Sequence, residues 1–219
     1  MNPAVSLHLL DAAGRFGALR VRVEQAFAHT LAVVGARLPL VPVDVVVQHD
    51  ARLVIPELGI GGYTPAADRV FIALDLGHAG LRERLEPAFT ALLAHELHHT
   101  VRWAGPGYGG TLAEAVLSEG LACCFEAELA GGELPFYARP LPASERERVQ
   151  AAFAAQRDAA VYDHDAWFYG RGALPRHAGY ALGAELVGGH LRRCGGSAAA
   201  LAQAPATDFF PSTTLKPSP

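Results

Sequence analysis

The chain has 219 residues, a formal charge of −4 and 51% hydrophobic residues. This length suits one domain with a sizeable core, and the composition excludes wholesale disorder. The slight negative charge and the lack of any basic run argue against nucleic acid as a partner.

The opening stretch "MNPAVSLHLLDAAGRFG" has no basic region followed by a long apolar core, so no secretory signal is expected. No apolar run approaches the roughly 20 residues of a membrane helix. The three cysteines, Cys123, Cys124 and Cys194, make neither a disulfide framework nor a Cys-x-x-Cys zinc site. A soluble, reduced, cytoplasmic protein without membrane partners is the expectation.

Residues 16–38 read as a helix, with Leu19, Val23, Phe27, Leu31 and Val34 at three- and four-residue steps. Pro39 and Pro42 end that pattern, and "VDVVVQHD" follows as a β-branched strand. Pro56, Gly59, Gly61 and Gly62 predict an irregular loop before a second strand, "DRVFIALD". Pro87 suits the first turn of the next helix, which runs through "AFTALLAHELHHTVRW" and stops at "GPGYGG". Thr111 and Glu114 form a capping-box pattern for a helix that ends at Gly131-Gly132. A mostly helical part follows, with the aromatic patch "WFYG" inside it. The order predicts an α+β fold, with a small antiparallel sheet packed on helices. One domain is expected over 1–205, split into halves at about residue 132, with a loose tail over 206–219.

The chemistry gathers in "HELHH", His95 to His99, which matches H-E-x-x-H. Residues four apart on a helix share a face, separated by about 6 Å of rise, so His95 and His99 can converge on one ion. Glu96 is turned by about 100° from His95 and can hold a water beside that ion as general base. His98 lies outside the pattern and reads as a surface residue or a neighbour of the ligands.

A catalytic zinc takes three protein ligands and leaves a fourth position open. Glu114, Glu119, Glu126 and Glu128 are the choices on the following helix. Glu119 is favoured, because twenty positions after His99 suffice for a turn and an antiparallel return, and because its neighbours are apolar. Glu114 has its capping role, Glu128 reads as solvated, and Glu126 suits a hydrogen-bond partner to the ligands. Gly120 lets another backbone approach closely. Zn²⁺ is the expected cofactor, although manganese or cobalt suits the same ligands.

These blocks, "HELHHT" followed by "TLAEAVLSEGLACCFEAEL", resemble the gluzincin metallopeptidases, in which the next helix supplies a glutamate ligand. Together with "VIPELGIGGYT", "ALD", "WFYG" and "LPRHAGYALGAELV", they resemble a bacterial family of predicted Zn-dependent proteases over about residues 41–205. The resemblance implies a zincin-like fold, with His95, His99 and Glu119 as zinc ligands and Glu96 as base. Two departures stand out. Where thermolysin-like enzymes place an acidic residue to orient a ligand histidine this chain has Cys123, so either another residue, Glu126 or Asp75, does that work or the site lacks it. The donor to the developing oxyanion has no clear counterpart, and Tyr180 in "HAGY" is preferred over His177.

In zincins an extended substrate pairs with an edge strand beside the active-site helix. Val70, Phe71, Ile72 and Ala73 of "DRVFIALD" are the candidates here, with Gly61 and Gly62 allowing close approach of a peptide. The expected substrate is a short peptide or a flexible protein segment. A metal-dependent amidase acting on a small molecule and a non-catalytic, zinc-braced binding module are the competing readings.

Overall fold

The computed structural model, which describes residues 5–210, holds a four-stranded sheet where the sequence predicts two strands. The strands are β1 (Val5–Leu10), β2 (Val43–His49), β3 (Ile60–Ala66) and β4 (Arg69–Leu74). Helix α1 (Leu19–Gly35) connects β1 to β2, which lie parallel, as a crossover helix permits. A tight turn joins β3 to β4 as an antiparallel hairpin, and β4 returns parallel to β2. The order is therefore β1-β2-β4-β3, and the sheet is mixed rather than antiparallel.

This order corrects two expectations. Gly61 and Gly62 belong to a strand, not a loop. Glycine marks close approach there: a Cβ on Gly61 would lie 2.2 Å from the Leu53 carbonyl oxygen. Strand β4, expected at the edge, is interior, and the edge strand is β3.

The short helix α2 (Ala79–Glu83) is capped by the His78 side chain, which accepts from the Leu81 N–H. Helix α3 (Leu85–Trp103) carries Pro87 in its first turn, and its Phe89, Leu93, Leu97 and Val101 are fully buried at four-residue spacing. Helix α4 (Leu112–Leu129) opens with the expected reciprocal capping box between Thr111 and Glu114. It is buried along almost its whole length, which is why its sequence shows no polar stripe.

The remaining helices are α5 (Ala143–Gln156) and α6 (Ala178–Cys194), with a π-helical turn over Asp165–Tyr169 between them. Helices α4 and α6 cross glycine to glycine: a Cβ on Gly120 would lie 2.3 Å from the Gly183 carbonyl, and one on Gly183 would lie 2.2 Å from the Val116 oxygen. The backbone approach expected at Gly120 is thus made by α6. One apolar core lies between the sheet, α1 and α3, and another between α4, α5, the π-helical turn and α6.

The expected loose tail is packed where it is described. Phe209 and Phe210 pack against these cores after a 3₁₀ turn at Ala206–Asp208. Pro211, Pro217 and Pro219 lie outside the described residues. Among the described residues, no helix is long and apolar enough to cross a membrane.

Candidate metal centre

Four-residue spacing on α3 turns His95 and His99 toward α4, and Glu119 on α4 meets them. The Nε2 atoms of His95 and His99 lie 3.1 Å apart. The Glu119 carboxylate reaches His95 Nε2 at 3.2 Å and His99 Nε2 at 3.4 Å. Tetrahedral bonds of about 2.1 Å would place neighbouring ligand atoms roughly 3.4 Å apart, so these three donors fit one face of a zinc tetrahedron. All three residues are buried, and two facing imidazole nitrogens beside a carboxylate are best served by a shared cation.

The surroundings of each ligand come from other elements. Glu126, seven residues past Glu119 on the same helix, sets its Oε2 3.5 Å from His95 Nδ1. That separation is long for a hydrogen bond. The Tyr137 hydroxyl donates to the same oxygen at 2.7 Å. Tyr108, in the glycine-rich turn between α3 and α4, donates to Glu119 Oε1, also at 2.7 Å. Glu119 therefore meets two histidines and a tyrosine, whereas Glu126 meets one of each through a single oxygen.

Charges follow from this packing. Burial alone would push the Glu119 carboxyl up, but His99 and His95 outweigh it and hold it well below the usual carboxylate range. Burial likewise opposes protonation of His95, yet Cys123, Glu119 and Glu126 raise it well above an ordinary histidine. Burial pushes the Cys123 thiol up to about 12, so it stays a neutral neighbour of the ring. Both tyrosine hydroxyls are held protonated, first by burial and then by the carboxylates they serve.

Glu96 sits on the adjoining face of α3, under the edge strand. A Cβ on Gly62 would lie 2.5 Å from Glu96 Oε1, and the Thr64 hydroxyl donates to Glu96 Oε2 at 2.6 Å. Burial raises the Glu96 carboxyl, with His95, His99 and the Thr64 hydroxyl pulling the other way. Two cavities, of about 720 Å³ and 360 Å³, open on this point, and His95, Glu96, Gly62, Tyr63, Tyr169 and Tyr180 line both.

A family model described as "Predicted Zn-dependent protease (DUF2268)" matches residues 22–211 of the chain. The chain belongs to this family of predicted Zn-dependent proteases. No curated protein and no solved structure matches it. The zinc named in the family description agrees with the buried His95, His99 and Glu119 donor set of this member.

The structure brings some further candidates of this family member to the site and leaves others elsewhere. Tyr180, on the first turn of α6, lines both cavities, and Tyr137, Phe168 and His177 ring it edge-on. His177 lines only the larger cavity. It is the one non-glycine with positive φ among the described residues, at +67°, and this kink turns the chain into α6. Phe71, Ile72 and Ala73 line the larger cavity, whereas Val70 points into the core.

Asp75 is not brought to His95; its carboxylate accepts from the Gly77 N–H in the turn after β4. His98 is a correction: it is fully buried on the far side of α3, with Nε2 3.2 Å from the Ala198 carbonyl oxygen. Glu128, expected to be solvated, is half-buried and accepts from the Ala198 N–H. Sequence reasoning misses Thr64, Tyr108 and Tyr137. Only Tyr108 leaves a trace, as an aromatic inside the "GPGYGG" turn that directly follows the metal helix.

Proposed function

We propose that this chain is a zinc metallopeptidase of the gluzincin type, with a zincin-like architecture, that hydrolyses peptide bonds in short peptides or flexible segments. The observation that carries the reading is the convergence of His95, His99 and Glu119 within hydrogen-bonding distance of one another, with the Glu96 carboxylate beside them at the meeting point of two cavities. Membership of a family described as Zn-dependent proteases supports it.

The three ligands would hold zinc, which when bound supplies Lewis acidity and a water acidified towards neutral pH. Glu96 takes a proton from the attacking water and returns it to the leaving amine. Its raised affinity for protons suits that exchange. Tyr180 is assigned the donation to the developing oxyanion, because its hydroxyl stays protonated and its side chain lines both cavities. Glu126 and Tyr137 together orient the His95 ring.

The peptide backbone pairs with β3 rather than β4, because β3 lies at the end of the sheet and passes over Glu96. Among the described residues the one isolated backbone bridge to β3 is that of Ile55 to Ile60. Phe71, which is exposed beside the fully buried Ile72, contributes an apolar lining for a substrate side chain.

A peptide-library digest with zinc-loaded protein at neutral pH tests the reading. Cleavage by the wild type, abolished in Glu96→Gln with zinc still bound, is the expected outcome. Intact peptides after incubation with fully zinc-loaded wild type would overturn it.

A further inference from the structure

The edge strand carries an irregularity where it passes the active-site helix. Tyr63 pairs with Phe71 and Ala66 with Arg69, so Thr64 and Pro65 together oppose Val70. Two residues opposite one is the arrangement of a β-bulge, which interrupts the ladder and re-aims a side chain. Pro65 has no N–H, so the ladder loses no donor at that position. The Thr64 side chain is buried against α3, while its neighbour Tyr63 is exposed.

The Thr64 hydroxyl has two acceptors in reach, the Glu96 main-chain oxygen at 3.2 Å and Glu96 Oε2 at 2.6 Å. One hydroxyl supplies one proton, and the shorter contact to a charged oxygen takes it. The Thr64 carbonyl is fixed separately, accepting from the Trp103 indole N–H at 3.1 Å. Trp103 in turn stacks on Tyr108, the tyrosine that donates to Glu119. On the opposite oxygen of Glu96, the missing side chain of Gly62 leaves the only room for the carboxylate: a Cβ there would stand 2.5 Å from Oε1.

We propose that Thr64 is the positioning residue of the general base: turned inward by the bulge in β3, its hydroxyl clamps one oxygen of Glu96 while Gly62 makes space for the other. A carboxylate on a flexible side chain otherwise samples several staggered rotamers, and the Thr64 contact at 2.6 Å selects the observed one. The same clamp couples the base to the substrate strand, since a peptide that pairs with β3 bears directly on the residues that hold Glu96. This inference rests on the peptidase reading for its kinetic consequence and on geometry alone for the placement of Glu96.

The test compares wild type, Thr64→Val and Thr64→Ser at full zinc occupancy, by steady-state kinetics on a cleaved peptide and by high-resolution crystal structures. Thr64→Val, which keeps the shape and removes the hydroxyl, is expected to lower kcat by about tenfold to a hundredfold with KM little changed. Thr64→Ser is expected to restore most of the loss. In the crystal structure of Thr64→Val, the Glu96 carboxylate should leave its single rotamer while His95, His99 and Glu119 stay in place. Unchanged kcat in Thr64→Val, or a Glu96 carboxylate in the wild-type rotamer, overturns the proposal. If the wild type cleaves no peptide, the peptidase reading fails separately and the crystallographic comparison still decides the role of Thr64.

Discussion

If His95, His99 and Glu119 hold the metal as proposed, Glu126 and Tyr137 support His95 from outside that set, and their effect should be measurable in metal affinity alone. Removing the Glu126 charge takes away the anion that faces His95 Nδ1. Glu126→Gln is expected to weaken zinc binding by about tenfold to a hundredfold, in competition with a chromogenic chelator. Tyr137→Phe should act in the same direction with a smaller effect, because it removes only the hydroxyl that fixes the Glu126 carboxylate. Equal zinc affinity in wild type and Glu126→Gln would show that the ring needs no such support. His95, Glu96 and His99 are legible in the sequence because their relation is set by one helix, four residues apart. Tyr108, Tyr137 and Thr64 are not, because each reaches the site from a separate loop or strand and no local spacing encodes the contact.

At the level of elements, the position of α6 decides whether Tyr180 reaches the cavities. The crossing of α4 and α6 leaves no volume for a methyl group at Gly183, whose Cβ would clash with the Val116 carbonyl oxygen. Gly183→Ala is therefore expected to destabilise the protein by about 1–3 kcal/mol through overpacking, with a lowered Tm. Activity should fall by more than the loss of folded protein accounts for, since Tyr180 moves with the helix. A wild-type Tm for Gly183→Ala would mean that the helices are free to separate.

The helices were largely readable from apolar spacing and from the signals at Pro87 and Thr111. The sheet was not. The glycine and proline spacing predicts a loop around Gly61 and Gly62, yet those glycines lie in β3, where close neighbours replace their side chains. Strand β4 looked like an edge by composition, but strand order depends on which pairings form across the chain. If β3 is the substrate edge, a bound peptide inhibitor should slow amide hydrogen exchange in Gly62–Thr64 and leave β4 unchanged.

Across the whole molecule, the far face of the metal helix holds the chain's last described segment in place. His98 meets the Ala198 carbonyl, and Arg102, buried without a carboxylate partner in hydrogen-bonding reach among the described residues, donates to the Ala202 and Ala204 carbonyls and to the Ser118 hydroxyl. Burial pushes the His98 ring down to about 3, which keeps it neutral, and lowers Arg102 to about 10, which leaves it charged at neutral pH. Arg102→Met should cost about 2 kcal/mol, because three acceptors lose a charged donor, and should release residues 198–204 first in hydrogen exchange. Uniform exchange across the variant would argue against this clamp. No spacing rule predicts it, since the partners lie about a hundred residues apart and the acceptors are backbone oxygens.

The proposed chemistry requires one metal ion joining α3 to α4 through His95, His99 and Glu119. Anomalous diffraction at the zinc edge, on crystals of the zinc-loaded protein, locates that ion. One strong peak is expected, bonded to Nε2 of both histidines and to the Glu119 carboxylate, with Glu96 nearby but not a ligand. A peak that lacks Glu119, or a zinc-loaded protein whose metal lies elsewhere, would contradict it.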